Sequence, residues 1–325
     1  MISPARNISS ITLPIPFELE SVNVHLVELD HGFLLVDSGL ETLECFEALE
    51  AGLGERGIVW SDIQLLLLTH LHPDHIGLSW KILELSGARL LMHPVEAEHL
   101  ALMARDNRSP FFSQAMRNAG VPAETEARID RAIKGVRGRF RAHEPHWKLE
   151  DNEMIPVRGG GALQVILTPG HSPGHICLYS PKYRYLISGD HLLENITPNI
   201  AWHPGVDMVE RYLDSLARLE AFDVGWVVPS HGPPFRGHRE RIRTMANHHA
   251  ERCEVILANV SQEPMTAYQL VEAMWRGLSP FHQHFAVFEV LAHLEHLDRR
   301  GQVAAEARNG GALYWKSGTR SRHSS

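Results

Sequence analysis

Cysteine is scarce in this chain: Cys45, Cys177 and Cys253 are the only three in 325 residues, far apart and with no C-x-x-C pair. An odd, scattered set of thiols excludes a disulfide framework and a cysteine-based metal knuckle, and suits incidental thiols in a reducing compartment. Long apolar runs are missing too. No stretch approaches the roughly 18 uninterrupted apolar residues of a membrane span. The opening MISPARNISSITLPIPFELES carries prolines and acidic groups where a signal peptide would have an apolar core. A cytoplasmic protein without a membrane partner is therefore expected. Positive charge is not in excess: 31 Lys and Arg against 39 Asp and Glu give a formal net charge of −8. That balance argues against a general nucleic-acid binder, although a local basic groove stays open.

Histidine, by contrast, is abundant, with 22 residues. The rest of the composition is that of an ordinary globular protein, 44% hydrophobic and 22% charged. A length of 325 residues predicts one large domain and a smaller one.

Along the chain, Val22–Leu29 and Phe33–Asp37 read as a hairpin about the turn Asp30–Gly32. A helix is predicted from Glu41 to Leu53, closed by Gly54. Asp62–Leu68 (DIQLLLL), apolar but for Asp62 and Gln64, reads as a strand of the kind buried on both sheet faces. Ile76–Leu85 reads as helix, stopped by Gly87, and Ala88–Met92 as strand. Residues 94–141 differ: polar, helical and rich in arginine (Arg105, Arg108, Arg117, Arg128, Arg131, Arg137, Arg139, Arg141). They read as a helical insertion whose arginines form either a solvated face or a cap over an anionic substrate. Short strands resume at Leu163–Leu167, Ile176–Tyr179 and Tyr185–Ile187, then a helix at Tyr212–Leu219 and a strand at Gly225–Val228. Strands followed by helices, twice over, predict an α/β protein of the αββα sandwich class over residues 1–239. Residues 240–325 read as three helices and a hairpin, the outline of a winged helix. From Arg241 onward this segment holds ten Lys or Arg and eight Asp or Glu, so it reads as a packing or dimerisation module, a homodimer included, and not as a DNA reader.

The chemistry concentrates in THLHPDHIG, residues 69–77. Directly after an apolar strand it presents His70, His72, Asp74 and His75. Imidazoles and carboxylates are ligands that Zn²⁺, Fe²⁺ and Mn²⁺ accept, and a loop at a strand end can fold them around a point. A packing role for all four would leave four ionisable groups in need of partners. Three further loops repeat the arrangement: His171 in TPGHSPGH after LQVIL, Asp190 in ISGDHLL after YLI, and His231 in VVPSHG after WVV. Each lies at the end of an apolar strand beside a glycine that lets the backbone turn closely.

With these motifs in this order, the segment from about Val22 to Gly237 resembles a metallo-β-lactamase superfamily hydrolase of the glyoxalase II-like kind. The resemblance implies that His70, His72 and His171 hold one divalent ion, that Asp74, His75 and His231 hold a second, and that Asp190 bridges them. Zn²⁺ is the metal first expected, Fe or Mn the alternatives. It implies hydrolysis by a metal-bound hydroxide, with Asp74 placed to orient the attacking water and take a proton. The C-terminal segment loosely resembles the winged-helix-like appendage of some members. Asp37, at the end of FLLVD, is expected to support the metal loop by hydrogen bonds. His175, His191, Trp202 and His203 are divided between supporting, substrate-facing and packing roles, while the helical-tail histidines are read as surface or core.

The substrate is read from departures. Asp190 stands where one subclass of antibiotic-hydrolysing relatives places cysteine, which argues against β-lactams. The expected partner is a small-molecule acyl substrate, a thioester or related activated ester, lactones included. A metal-dependent nuclease, an iron-dependent oxygenase and a non-catalytic metal-binding regulator stay open as alternatives.

Overall fold

The computed structural model describes residues 7–106, 111–134, 141–261, 263–308 and 311–317. The chain divides into two compact units. One comprises residues 1–109, 136–198 and 215–242, the other 110–135, 199–214 and 243–325.

In the first unit a six-stranded sheet runs in the order β1 (Ile8–Pro14), β2 (Ser21–Glu28), β3 (Phe33–Val36), β4 (Ile63–Leu68), β5 (Arg89–Met92), β6 (Trp147–Lys148). Between these strands come helices α1 (Leu43–Gly54), α2 (Pro73–Ile76), α3 (Ser79–Ser86) and α4 (Pro94–Asp106), and, belonging to the other unit, α5 (Phe112–Ala119) and α6 (Ala123–Lys134). A second sheet is built from β7 (Met154–Val157), β8 (Gly161–Leu167), β9 (Ile176–Ser180), β10 (Tyr185–Gly189) and β11 (Trp226–Pro229), in the order β11-β10-β9-β8-β7. β2 and β3 form the expected hairpin, and β3, β4 and β5 pair in parallel.

The period of two along the strands sorts their side chains into two cores. Leu34, Val36, Leu65, Leu67 and Leu91 of the first sheet pack against Leu163, Val165, Ile176, Leu178 and Ile187 of the second. The opposite face of the first sheet (Val22, Val24, Leu35, Leu66, Leu68) buries Leu49 of α1, Ile82 of α3 and Leu100 of α4. β4 is therefore apolar from Leu65 to Leu68, where both its faces are covered, and keeps one exposed polar residue, Gln64, near its start. Against the second sheet lies the end of α7 (Met208–Glu220), where Arg218 donates to the Leu167 carbonyl. The result is the αββα sandwich.

Two details differ from expectation. β1 was not foreseen, because ISSITLP is polar at alternate sites and proline-bounded. It is an edge strand, tolerated there because one side of its ladder is unpaired. The helix expected over Ile76–Leu85 is two pieces, α2 and α3, with a break that turns the metal-loop residues inward; Gly87 ends α3 in the left-handed conformation as expected (φ 68°).

The second unit gathers α8 (His238–Asn259), β12 (Met265–Thr266), α9 (Ala267–Met274), α10 (Pro280–Arg299), β13 (Val303–Arg308) and β14 (Gly311–Lys316), the strands pairing β12-β14-β13. α8 begins in the first unit and passes into the second at Arg243. α10 is buried on every side from Ala286 to Leu294 and serves as the unit's core. Residues 110–135, counted in the sequence with the catalytic half, pack here. Amphipathic α5 and α6 lay Phe112, Met116, Ile129 and Ile133 inward, and both helices contact α10. Of the eight arginines of the insertion, Arg108, Arg137 and Arg139 lie outside the described residues. No described helix is long and apolar enough to cross a membrane.

Candidate metal centre

The site residues all leave the same ends of the strands. β3 ends at Val36 and is followed by Asp37; β4 ends at Leu68 and is followed by His70 and His72; β8 leads to His171, β10 to Asp190 and β11 to His231. His72 precedes Pro73 at the start of α2, whose single turn carries Asp74 and His75. Gly189 has φ 51°, and a Cβ there would meet His175 Nε2 at 2.6 Å, so only glycine lets the chain turn into Asp190.

All seven predicted residues converge. His70, His72, His171 and Asp190 bring one ligand atom each within 4.8 Å of one another, and so do Asp74, His75 and His231. In the first set His72 Nδ1 lies 3.0 Å from His70 Nε2 and 2.9 Å from His171 Nε2. In the second, Asp74 Oδ2 lies 3.4 Å from His231 Nε2 and 3.7 Å from His75 Nε2. Asp190 faces both. Its Oδ2 is 3.7 Å from His171 Nε2, 4.0 Å from His70 Nε2 and 3.5 Å from His75 Nε2, and its Oδ1 is 3.5 Å from His231 Nε2.

Buried hydrogen bonds behind these groups fix which ring nitrogen faces inward. Asp37, buried and held at a left-handed φ of 63°, accepts from Thr69 N at 2.8 Å, from the Thr69 hydroxyl and from His75 Nδ1 at 2.8 Å. Such a backbone persists only where its surroundings over-determine it. The Thr69 oxygen in turn takes His70 Nδ1 at 3.0 Å, and His231 Nδ1 donates to the Ser21 carbonyl at 2.8 Å. Thr168 Oγ1 accepts from His175 Nδ1, which leaves His175 Nε2 to receive Asp190 N at 3.2 Å. His175 thus supports Asp190, and Asp37 supports the metal loop.

Sequence reasoning missed two supports. Asn23 of β2 donates to the carbonyls of Pro229 and Gly232, on either side of His231. Glu96 of α4, fully buried, accepts from Leu71 N, Ser172 Oγ and Gly174 N. Its signal was present: Glu96, Leu100 and Met103 share the buried stripe of α4, and a carboxylate on an apolar stripe needs a reason.

The electrostatics divide the centre. Burial and the neighbouring imidazoles hold His70 well below its ordinary pKa and bring His72 down to about 3. Burial also pulls on His75 and His231, but the carboxylates of Asp190 and Asp74 outweigh it. His75 is held well above its ordinary value, and His231 is pushed up to about 10. Burial raises Asp190 and Asp74, yet those two histidines carry both below the usual carboxylate range.

The donor set fits a pair of divalent ions. His75 Nε2, His231 Nε2 and Asp190 Oδ1 are buried and make no hydrogen bond, although each imidazole nitrogen lies 3.5 Å from an Asp190 oxygen, Oδ2 for His75 and Oδ1 for His231. Buried polar atoms left in that condition are costly unless a cation joins them. Nitrogen and carboxylate oxygen in these proportions suit zinc, iron or manganese.

A model of the metallo-β-lactamase superfamily matches residues 18–231. The chain belongs to that superfamily. A model of the superfamily-like C-terminal domain matches residues 253–317. A metallo-β-lactamase family protein of Thermus thermophilus is similar in structure, at 31% identity and a TM-score of 0.83, over 97% of this chain and 100% of that one. A β-lactamase domain protein of Burkholderia ambifaria gives 29% and 0.85, over 97% and 94%. A curated relative, the probable metallo-hydrolase YqjP of Bacillus subtilis, is 28% identical over 97% of both chains. A more distant one, the atrochrysone carboxyl ACP thioesterase of Aspergillus fumigatus, is 23% identical over 78% of this chain and 65% of its own length.

Elsewhere, His249, Glu289 and His293 cluster in the second unit. Their bonds are structural: His293 Nδ1 donates to the Glu289 carbonyl of its own helix, and Glu289 Oε2 accepts from Asn199 and Ile200 N. Trp202 is buried and His203 packs edge-on against Phe111, so both serve packing within that unit.

Proposed function

We propose that this chain, a metallo-hydrolase of the metallo-β-lactamase superfamily, cleaves a thioester or closely related activated ester with two divalent ions, zinc foremost. His70, His72 and His171 would hold one ion, Asp74, His75 and His231 the other, and Asp190 would reach both. The observation that carries this reading is the set of inward-facing, hydrogen-bond-free atoms on His75, His231 and Asp190. When bound, such ions acidify water toward neutral pH and polarise a carbonyl oxygen. The chain's own residues do the rest. Asp37 and Thr69 lock the imidazoles in one tautomer, His175 aims Asp190, and Asp74, the more open of the two centre carboxylates, is placed to orient a water and accept its proton.

The thioester choice is supported by the acyl-carrier thioesterase among the relatives and by the likeness of TPGHSPGH and SGDHLL to the glyoxalase II-like branch. The C-terminal order of helix, short strand, two helices and hairpin supports a winged-helix-like appendage, with a charge balance suited to packing.

The test is a substrate panel of acyl-thioesters, lactones, phosphodiesters and short RNA, run with metal-loaded and chelated protein. Thiol release from thioesters should dominate, vanish on chelation and return with Zn²⁺ or Mn²⁺. Turnover that survives thorough metal removal would end this reading, and a preference for RNA would replace it with a nuclease.

A further inference from the structure

We propose that Glu96 is a positioning residue that sets the geometry of the first ligand set, His70, His72 and His171, through the backbone on which they stand. This deepens the metal reading above and rests on it. Glu96 is entirely buried on α4, and its hydrogen bonds go to none of the ligand atoms. Its two oxygens divide between two loops. Oε2 accepts from the amide of Leu71, the residue between His70 and His72, at 2.8 Å. Oε1 accepts from the hydroxyl of Ser172, directly after His171, at 2.9 Å, and from the amide of Gly174 at 2.6 Å. One loop follows β4 of the first sheet and the other β8 of the second, so a single carboxylate ties together loop ends from the two facing sheets.

Both ends of this tie are specific. A Cβ on Gly174 would come within 3.0 Å of Glu96 Cγ and Oε1 and 2.8 Å of His93 Nδ1, so glycine is what lets the carboxylate reach that amide. All the groups it meets on the two loops are donors, two amides and a hydroxyl, and only a carboxylate accepts on both oxygens at once. In glutamine the NH₂ group must face either the Leu71 amide or the Gly174 amide, donor against donor. The second set takes no hydrogen bond from Glu96; its supports include Asp37, the Ser21 carbonyl and Asn23.

The experiment separates the two sets by deletion. His231→Ala leaves the first set able to bind, and His70→Ala leaves the second. Glu96→Gln is added to each, and to the wild-type chain, and Zn²⁺ affinity is measured by competition with a chelator beside the melting temperature of the metal-free protein. Glu96→Gln should weaken Zn²⁺ by about 10–100-fold in the His231→Ala background, the usual cost of a lost supporting partner, and hardly at all in the His70→Ala background. Gly174→Ala, which pushes the carboxylate off its amide without removing the charge, should produce the same selective loss and decides the matter if Glu96→Gln fails to fold. Equal weakening in both backgrounds, or none in either, overturns the assignment. Wild-type protein that takes up no Zn²⁺ overturns the metal reading itself, a result distinct from failure of Glu96 alone.

Discussion

The two halves of the centre are built from similar residues and carry opposite charge states. The first set is three imidazoles, and burial keeps His70 and His72 neutral. The second pairs His75 and His231 with carboxylates that keep both protonated in the metal-free protein. The first half therefore presents lone pairs ready for a cation. In the second, the carboxylates act across gaps of 3.4–3.7 Å without a hydrogen bond and favour protons where a cation would sit. On the two-ion reading proposed above, similar ligand types would give one half prepared for metal and one that must exchange protons for it.

Breaking the shared element should have the largest effect. Asp190 touches both halves, so Asp190→Ala should lower metal occupancy of both and reduce turnover by more than about 100-fold, beyond the cost of a lost supporting residue. Full occupancy of both sets in that variant would refute the bridge. Removing one ligand from each side sharpens the contrast: His70→Ala and His231→Ala should each leave one ion per chain by elemental analysis, held by the opposite set. A smaller effect comes from pH. His231 is protonated below about 10, so metal uptake near pH 7 should release protons, chiefly from the second half, and that release should fade as pH rises through 10. Calorimetry in buffers of different ionisation heat reads it directly; uptake without proton release would erase the proposed difference between the halves. The sign follows for stability too. Because the folded value of His231 is raised, its stabilisation of the metal-free protein is full below the unfolded value near 6.5 and is lost on the way to about 10.

Much of this was legible in the chain. His70, His72, His171, Asp190 and His231 announce themselves because each follows an apolar strand and borders a glycine or a proline turn, a local signal that survives without tertiary information. Asp37 was readable for the same reason, at the end of FLLVD. Glu96 left only a faint mark, a carboxylate on the apolar stripe of α4, and Asn23 left none. The loop groups they hold lie 25 to 209 residues away, so what each carboxylate or amide is for becomes visible only once packing brings those loops to it. The edge strand β1 escaped because half of its residues face away from the core. The opposite error was available in the helical tail, where His249 and His293 have ligand-like proximity but bond to each other, and His293 also donates to the Glu289 carbonyl of its own helix. Ligand spacing marks candidates; the bonds behind the ring decide them.

The most direct measurement is anomalous scattering at the zinc absorption edge from crystals of metal-loaded protein. Two peaks should appear, one enclosed by His70, His72 and His171 and one by Asp74, His75 and His231, with Asp190 in reach of both. A single peak, or strong density at His249, Glu289 and His293 instead, would contradict the two-ion centre.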